Sequence, residues 1–489
     1  MLTWVLAGWK MRLCLAIWLG WIAGACAWRF FAARKFTFRL GNRWTAIAIV
    51  AFGMYSLALG YKLVYRYLVY DREILHPEIE CTLLADTPQQ IRQSAAVNPG
   101  PHDWPWWRGP SFDNHSDSSS APIQWDAQEN VLWKSPVPGR GHSSPILCGQ
   151  HLFLTTADEK AQSQSLLAYD RDQGNLIWTK LVHQGRFAHQ HAKNSYASAT
   201  PACDGRHVYT TFAIDGSVYV TAVDLSSQIV WQQCVSEYTS THGYCASPVL
   251  YNSVVIVMVY GDVRRRIAAF DRSTGERRWQ SQFRISGANY GTPAIGHFNG
   301  SEYLVIPGPY AIQGFDPATG NMQWSIGWNV AGGSNTVAFA GQKVFASGTD
   351  PQNNVICIEI GATGVHELWR VTTGATKVPS PLVVKDQLFL VTDNGIADCL
   401  EAATGKRIGR CRLGGNFSSS PVLAAGRIYV ASEDGRTFVL SADQKLEILA
   451  TNDIGEPVFA TPVISNQRLF LRSAENLYCI ASEELSEAP

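Results

Sequence analysis

The chain is poor in the motifs that announce enzyme chemistry. Its eleven cysteines include no Cys-x-x-Cys and no adjacent pair, so a zinc ribbon and a vicinal dithiol centre have no basis. No phosphate-cradling Gly-rich loop, dinucleotide fingerprint, nucleophile elbow or His-Glu-x-x-His helix is present, and the Gly-rich dipeptides read as turn punctuation. Charge is sparse, at 16% of residues, and 40 basic side chains balance 40 acidic ones. No basic stripe runs through the chain, which excludes nucleic-acid binding. The short run Arg264-Arg265-Arg266 reads as a solvated hairpin turn.

Eight copies of one pattern fill the last three quarters of the chain. Each unit opens on Ser/Thr-Pro, runs through two short apolar stretches with a turn between them, and reaches Asp-x-x-Thr-Gly-x-x-x-Trp. The fullest copies run from Ser247-Pro248 to Asp271, Thr274-Gly275 and Trp279, and from Thr292-Pro293 to Asp316, Thr319-Gly320 and Trp324. The opening prolines are Pro145, Pro201, Pro248, Pro293, Pro381, Pro421 and Pro462, and Thr336-Val337 opens the fifth unit. The period of roughly 40 to 56 residues is that of propeller blades. Asp215-Gly216, Asn394-Gly395 and Asp434-Gly435 suit tight hairpin turns whose central residues need positive φ.

These features predict an all-β fold, an eight-bladed propeller of four-stranded antiparallel blades, with seven blades as the alternative. The last unit stops one strand short, and an orphan strand, Val131-Leu132-Trp133-Lys134, precedes the first. Pairing the two closes the ring and leaves no free edge. Trp133, Trp178, Trp231, Trp279, Trp324 and Trp369 are read as scaffold packing blade on blade. Gly409 and Ile448 stand where the sixth and seventh units should carry theirs. Asp170, Asp224, Asp271 and Asp316 are expected to cap turns.

The pattern Ala-Phe-Asp-x-x-Thr-Gly-x-x-x-Trp resembles the pyrroloquinoline-quinone (PQQ) repeat. From about Asp103 to Ala481 the chain is similar to PQQ-binding-like propellers, and Trp104-Pro105-Trp106-Trp107-Arg108-Gly109-Pro110 is similar to the lead-in of such proteins from planctomycete-type bacteria. The resemblance implies a fold more than an activity, because that family holds both quinoprotein dehydrogenases and non-enzymatic propellers such as the outer-membrane barrel-assembly lipoprotein. The dehydrogenases carry two adjacent cysteines, a calcium and an Asp base, and none of those positions can be matched here. The favoured reading is a non-catalytic extracytoplasmic binding or scaffold propeller, in cell-envelope protein assembly by analogy. It needs no cofactor, and its partner is an envelope protein or a small ligand. The alternative is a PQQ- and calcium-dependent quinoprotein oxidoreductase. A WD40-type interaction propeller is disfavoured because Trp-Asp does not close the units.

Four segments are expected: a membrane anchor over 1–72, a Pro/Ser-rich linker over 73–130, the propeller over 131–482 and an acidic tail over 483–489. Leu13 to Trp28 and Trp44 to Tyr61 are apolar runs near the lower limit for spanning a bilayer. Arg29, Arg34, Lys35, Arg39 and Arg43 lie between them without an acid, which puts that loop in the cytoplasm and the propeller outside it. A cleaved signal-like first run, and lipidation at Cys26 after Ala23-Gly24-Ala25, remain alternatives. The Trp104–Pro110 cluster is too aromatic for a free tether and is expected to dock on the propeller. Cys234/Cys245 and Cys399/Cys411 are near enough in sequence for disulfides in an oxidising compartment.

Connections between successive blades share one face around the central channel. Here they supply Arg140 and His142, then Arg186, His189, His191, Lys193, Asn194 and Tyr196, then His242 and Tyr244, then Asn289 and Tyr290. This face is the candidate for ligand or partner contact. In its sharpest form the expectation is that His189, His191 and His242 converge on a metal or polar ligand; the alternative is hydrogen-bonded loop histidines.

Overall fold

Short β-branched and aromatic runs punctuated by Gly and Asp turns make thirty-six strands in the computed structural model, which describes residues 79–83, 87–94, 97–261, 265–283 and 288–481. The expected anchor and the acidic tail lie outside the described residues. Among the described residues no helix is long and apolar enough to cross a membrane.

The strands form eight antiparallel blades. Each innermost strand is short and buried, as in Ile146–Cys148 and Val463–Ser465. Second strands such as Val254–Tyr260 are covered on both faces. Outermost strands alternate between cover and solvent, as in Leu176–Gln184. The eighth blade is closed as expected: Val131–Pro136 runs antiparallel to Asn476–Ile480, with Trp133 opposite Cys479. Glu456 locks this seam, accepting hydrogen bonds from Lys134 Nζ at 2.8 Å and Tyr478 Oη at 2.7 Å.

The repeat's consensus has a direct mechanical reading. The Asp carboxylate accepts turn amides, as Asp271 does from Ser273 and Thr274 at 2.9 and 3.0 Å. The Gly that follows the Thr, four residues after the capping carboxylate, takes a left-handed φ near 73° in Gly275, Gly320 and Gly405. Its missing side chain makes room for the preceding blade's Trp: a Cβ on Gly320 would stand 2.3 Å from the Trp279 ring. The indole then donates to a carbonyl of the same turn, Trp279 to Pro317 at 3.2 Å, Trp231 to Arg272 and Trp369 to Ala402 at 3.0 Å. In the second blade Ser227 occupies the left-handed position instead, at φ 72°.

Of three expectations about these strands, one holds and two need correction. Gly409 does stand opposite Cys399 in the Trp place, and its missing Cβ admits the Gln444 carbonyl of the next blade. Ile448 does not: it faces Leu440, a bulge intervenes, and Ala450 takes the Trp place opposite Val439. Arg265 and Arg266 are not a solvated turn. They lie in the strand Arg265–Asp271, Arg265 is buried, and Arg266 donates to the Val235 carbonyl.

The segment expected as a linker carries a strand, Ile79–Leu83, which adds antiparallel to the outer edge of the third blade, and a short helix, Thr87–Gln93. From there to Trp125 it acts as a strap touching every blade. Ile91 O accepts from Asn252 and Arg92 pairs with Asp316, in the third and fourth blades. Trp104 exchanges two backbone hydrogen bonds with Leu147 of the first blade, and Pro105 O accepts from Cys203 N of the second. Trp107 Nε1 reaches Thr336 Oγ1 at 2.9 Å, Arg108 Nη2 reaches Pro381 O at 3.0 Å, and Asn114 Nδ2 reaches Pro421 O at 3.0 Å, in blades five, six and seven. Ser120 completes the circuit on Gln467 of the eighth.

Candidate functional site

The hydroxyl that opens each repeat unit lines the central channel, and the eight hydroxyls are wired to one another. The amide of Ser144 donates to Thr200 Oγ1, Thr200 to Ser247, Ser247 to Thr292, Thr336 to Ser380, Ser380 to Ser420, Ser420 to Thr461 and Thr461 to Ser144, all at 2.9 to 3.1 Å. The remaining link runs the other way, from Thr336 Oγ1 to Thr292 O at 2.9 Å. A backbone N–H buried at a channel wall needs an acceptor, and the neighbouring blade's hydroxyl supplies it. This girdle was visible in the sequence as the Ser/Thr of Ser/Thr-Pro, but its role appears only when the blades are closed into a ring.

The girdle encloses a cavity of about 630 Å³, with seven of the eight opening residues and Trp107 of the strap among its walls. Six of the twelve face residues line it: His142, His191, Lys193, Asn194, His242 and Tyr290. The His191 and His242 rings stack at 5.7 Å, and His242 Nδ1 is 2.9 Å from Tyr290 Oη. Asn194 fixes the pair by donating to the His242 carbonyl at 2.8 Å. Lys193 reaches across the mouth to Glu433 of the seventh blade at 3.1 Å. His142 stacks on Phe459 at 4.4 Å. Burial, with Arg140 and Arg472 nearby, drives its pKa down to about 3, so it is neutral.

The other six do not line the cavity. Arg140 pairs with Glu159 and donates to Ala192 O, clamping the long loop from outside. Arg186 is exposed, its amide held by Asp215. Asn289 is buried and accepts from Gly291 N in its own turn. His189, Tyr196 and Tyr244 line a separate small cleft with Tyr238 and Phe212. The three-histidine convergence therefore fails at His189, which lines this cleft while His191 and His242 line the cavity. Among the described residues no group of three His, Cys, Asp or Glu could hold a metal ion.

Three carboxylates of the wall were not anticipated: Asp350, Asp393 and Glu433. They come from the hairpins between second and third strands, which share an end of the propeller with the blade-to-blade connections. Asp393 is held by the amides of Lys377 and Val378 at 2.8 and 3.2 Å, yet burial still raises its pKa. The Asn394-Gly395 and Asp434-Gly435 turns were the available signal for these hairpins. Cys245 also lines the wall, donates to Tyr290 O at 3.0 Å, and is pushed up to about 12 by burial, which makes it a poor nucleophile. The expected Cys234/Cys245 and Cys399/Cys411 pairs are not bridged.

The quinone and calcium of the alternative reading can be tested against these donors. Calcium needs six to eight converging oxygens. Here Asp393 is engaged by amides and Glu433 by Lys193 and Ser418, and no such cage forms among the described residues. The carboxylates present do not fit a calcium centre of that kind.

Eight closed blades around a strapped, hydroxyl-girdled channel define a β-propeller of the PQQ-repeat type. The chain belongs to the family described as outer membrane protein assembly factor BamB, whose pattern matches residues 119–299, 310–408 and 393–485. It is similar to the outer membrane protein assembly factor BamB of Yersinia pestis, 21% identical over 348 residues that span 68% of this chain and 84% of the relative. Its fold is like that of a europium-containing methanol dehydrogenase, at a TM-score of 0.56 and 12% identity, covering 79% of this chain and 99% of the other. It is equally like the quinohemoprotein alcohol dehydrogenase of Comamonas testosteroni, at 0.55 and 13%, covering 81% and 82%.

Proposed function

We propose that this chain is a non-catalytic binding or scaffold propeller, carried outside the cytoplasm and anchored there by its amino-terminal segment, that receives an envelope protein at the loop face of its channel. One observation carries the reading: several charged and polar groups of the cavity wall are already engaged by neighbouring groups. Lys193 is paired with Glu433, His242 with Tyr290 and Asp393 with backbone amides. Such a surface is preorganised for recognition, whereas catalysis needs groups poised to exchange protons or bonds. The family supports an assembly role, and the loops between blades supply adaptable contact area on a rigid ring.

The test has two arms. Cells depleted of the chain should show reduced levels of outer-membrane β-barrel proteins by quantitative membrane proteomics, and Lys193→Glu with His242→Ala should fail to restore them. The detergent-solubilised chain is then titrated with PQQ, with and without calcium, following tryptophan fluorescence and dye-coupled alcohol oxidation. Saturable micromolar binding with turnover would overturn the scaffold reading in favour of the oxidoreductase.

A further inference from the structure

We propose that Cys148 and Cys203 join in a disulfide that fastens the first blade to the second. Each closes the innermost strand of its blade, Ile146–Cys148 and Ala202–Cys203. Their sulfurs are 2.8 Å apart. That is inside the contact distance of two thiols and short of the bond at about 2.05 Å, so a small turn of each side chain completes it. Among the described cysteines no other two sulfurs are brought together in this way.

The surroundings hold the pair in register. Both side chains are buried, at 7% and 1% exposure, in the apolar seam between the blades beside Phe153 and Val208. The Cys203 amide is tied to Pro105 O, and Leu147, next to Cys148, is paired with Trp104. The strap therefore pins both backbones from below. Between the two cysteines lies the whole of the first blade's outer sheet and the long loop bearing His191, Lys193 and Asn194. The bond would fasten the two ends of that segment.

Formation requires an oxidant, and the extracytoplasmic reading supplies its class, a thiol–disulfide oxidant. One thiolate attacks the oxidant's disulfide and releases one of its sulfurs as a thiolate. The second thiolate attacks the chain's own sulfur in that mixed disulfide and releases the other. The chain loses two protons and two electrons, and the oxidant leaves as a dithiol. Because the seam is closed in the finished fold, the exchange belongs to folding, while the two blades are coming together. Afterwards the bond is shielded from reductants.

The experiment separates the pairing from the location. The detergent-solubilised full chain is reduced, denatured and refolded in a mixture of oxidised and reduced glutathione, alkylated, and digested without reduction. Mass spectrometry should find the peptides of Cys148 and Cys203 joined, lighter by about 2 Da than their sum. The joined species should vanish in Cys148→Ser and in Cys203→Ser. Alkylation of both cysteines in refolded wild-type chain, or their joining to other cysteines, would overturn the proposal, and this result does not depend on either variant folding. The same mapping on chain isolated from cells tests the compartment. A bond present after refolding and missing from the cellular protein supports the pairing and sinks the extracytoplasmic reading.

Discussion

His142 shows how a single side chain can carry a pH dependence without serving chemistry. It is stacked on Phe459 at the base of the mouth, and burial together with Arg140 and Arg472 lowers its pKa from 6.5 to about 3. In the unfolded chain it takes up a proton below about pH 6.5, and in the folded chain it does not until about pH 3. Unfolding therefore binds a proton in that window. The stability this group contributes is complete above about pH 6.5 and falls as the pH drops toward 3. His142→Gln keeps a flat, uncharged side chain against Phe459. Its melting temperature should fall less steeply than wild type between about pH 6 and 4, and parallel curves would show that His142 is not the group responsible. The other histidines were harder to read. Nothing in their sequence setting distinguishes His189, His191 and His242, and only the folded loop brings the last two together while the first faces a different cleft.

At the scale of elements, the girdle at the head of each innermost strand makes the blades interdependent. Thr461 accepts from Ser420 N at 2.9 Å and its own amide donates to Ser144 Oγ. Thr461→Val keeps the shape and removes the acceptor, leaving a buried N–H without a partner. The expected loss is about 1–3 kcal/mol by denaturant titration. A loss near zero would mean that the hydroxyls only fill space. Much of the blade was legible beforehand because its consensus is a set of local rules: Asp caps a turn, Gly opens space, Trp fills it. What escaped was set by geometry between strands. The bulge beside each Trp position moves the register by one, which is why Ile448 looked like the missing Trp place and Ala450 is. The carboxylates of the cavity escaped for a related reason. Connections between blades were the expected source of this face, and the hairpins within blades deliver Asp350, Asp393 and Glu433 to the same mouth.

For the molecule as a whole, the seam between Val131–Pro136 and the last blade decides whether the ring is closed. Glu456 is its fastener. Burial alone would raise its pKa, but hydrogen bonds from Asn476, Lys134, Ser473 and Tyr478 outweigh that and hold it at about 2. A carboxylate depressed in this way contributes stability above about pH 4.5 that is lost as the pH falls toward 2. Glu456→Gln should cost about 1–3 kcal/mol. In hydrogen-exchange mass spectrometry it should speed exchange of the 131–136 amides while the second to fourth blades stay protected. Uniform acceleration everywhere would show that the seam has no separate opening.

That seam joins the strand made first in the propeller to the hairpin made last. Until Asn476–Ile480 has been synthesised, Val131–Pro136 has no partner and the eighth blade does not exist. A chain that stops early leaves exposed sheet edges at both ends and a strap with blades missing beneath it. Ring closure therefore makes the first strand of the propeller wait for its last hairpin, and a chain lacking that hairpin keeps unpaired edges open to wrong pairing.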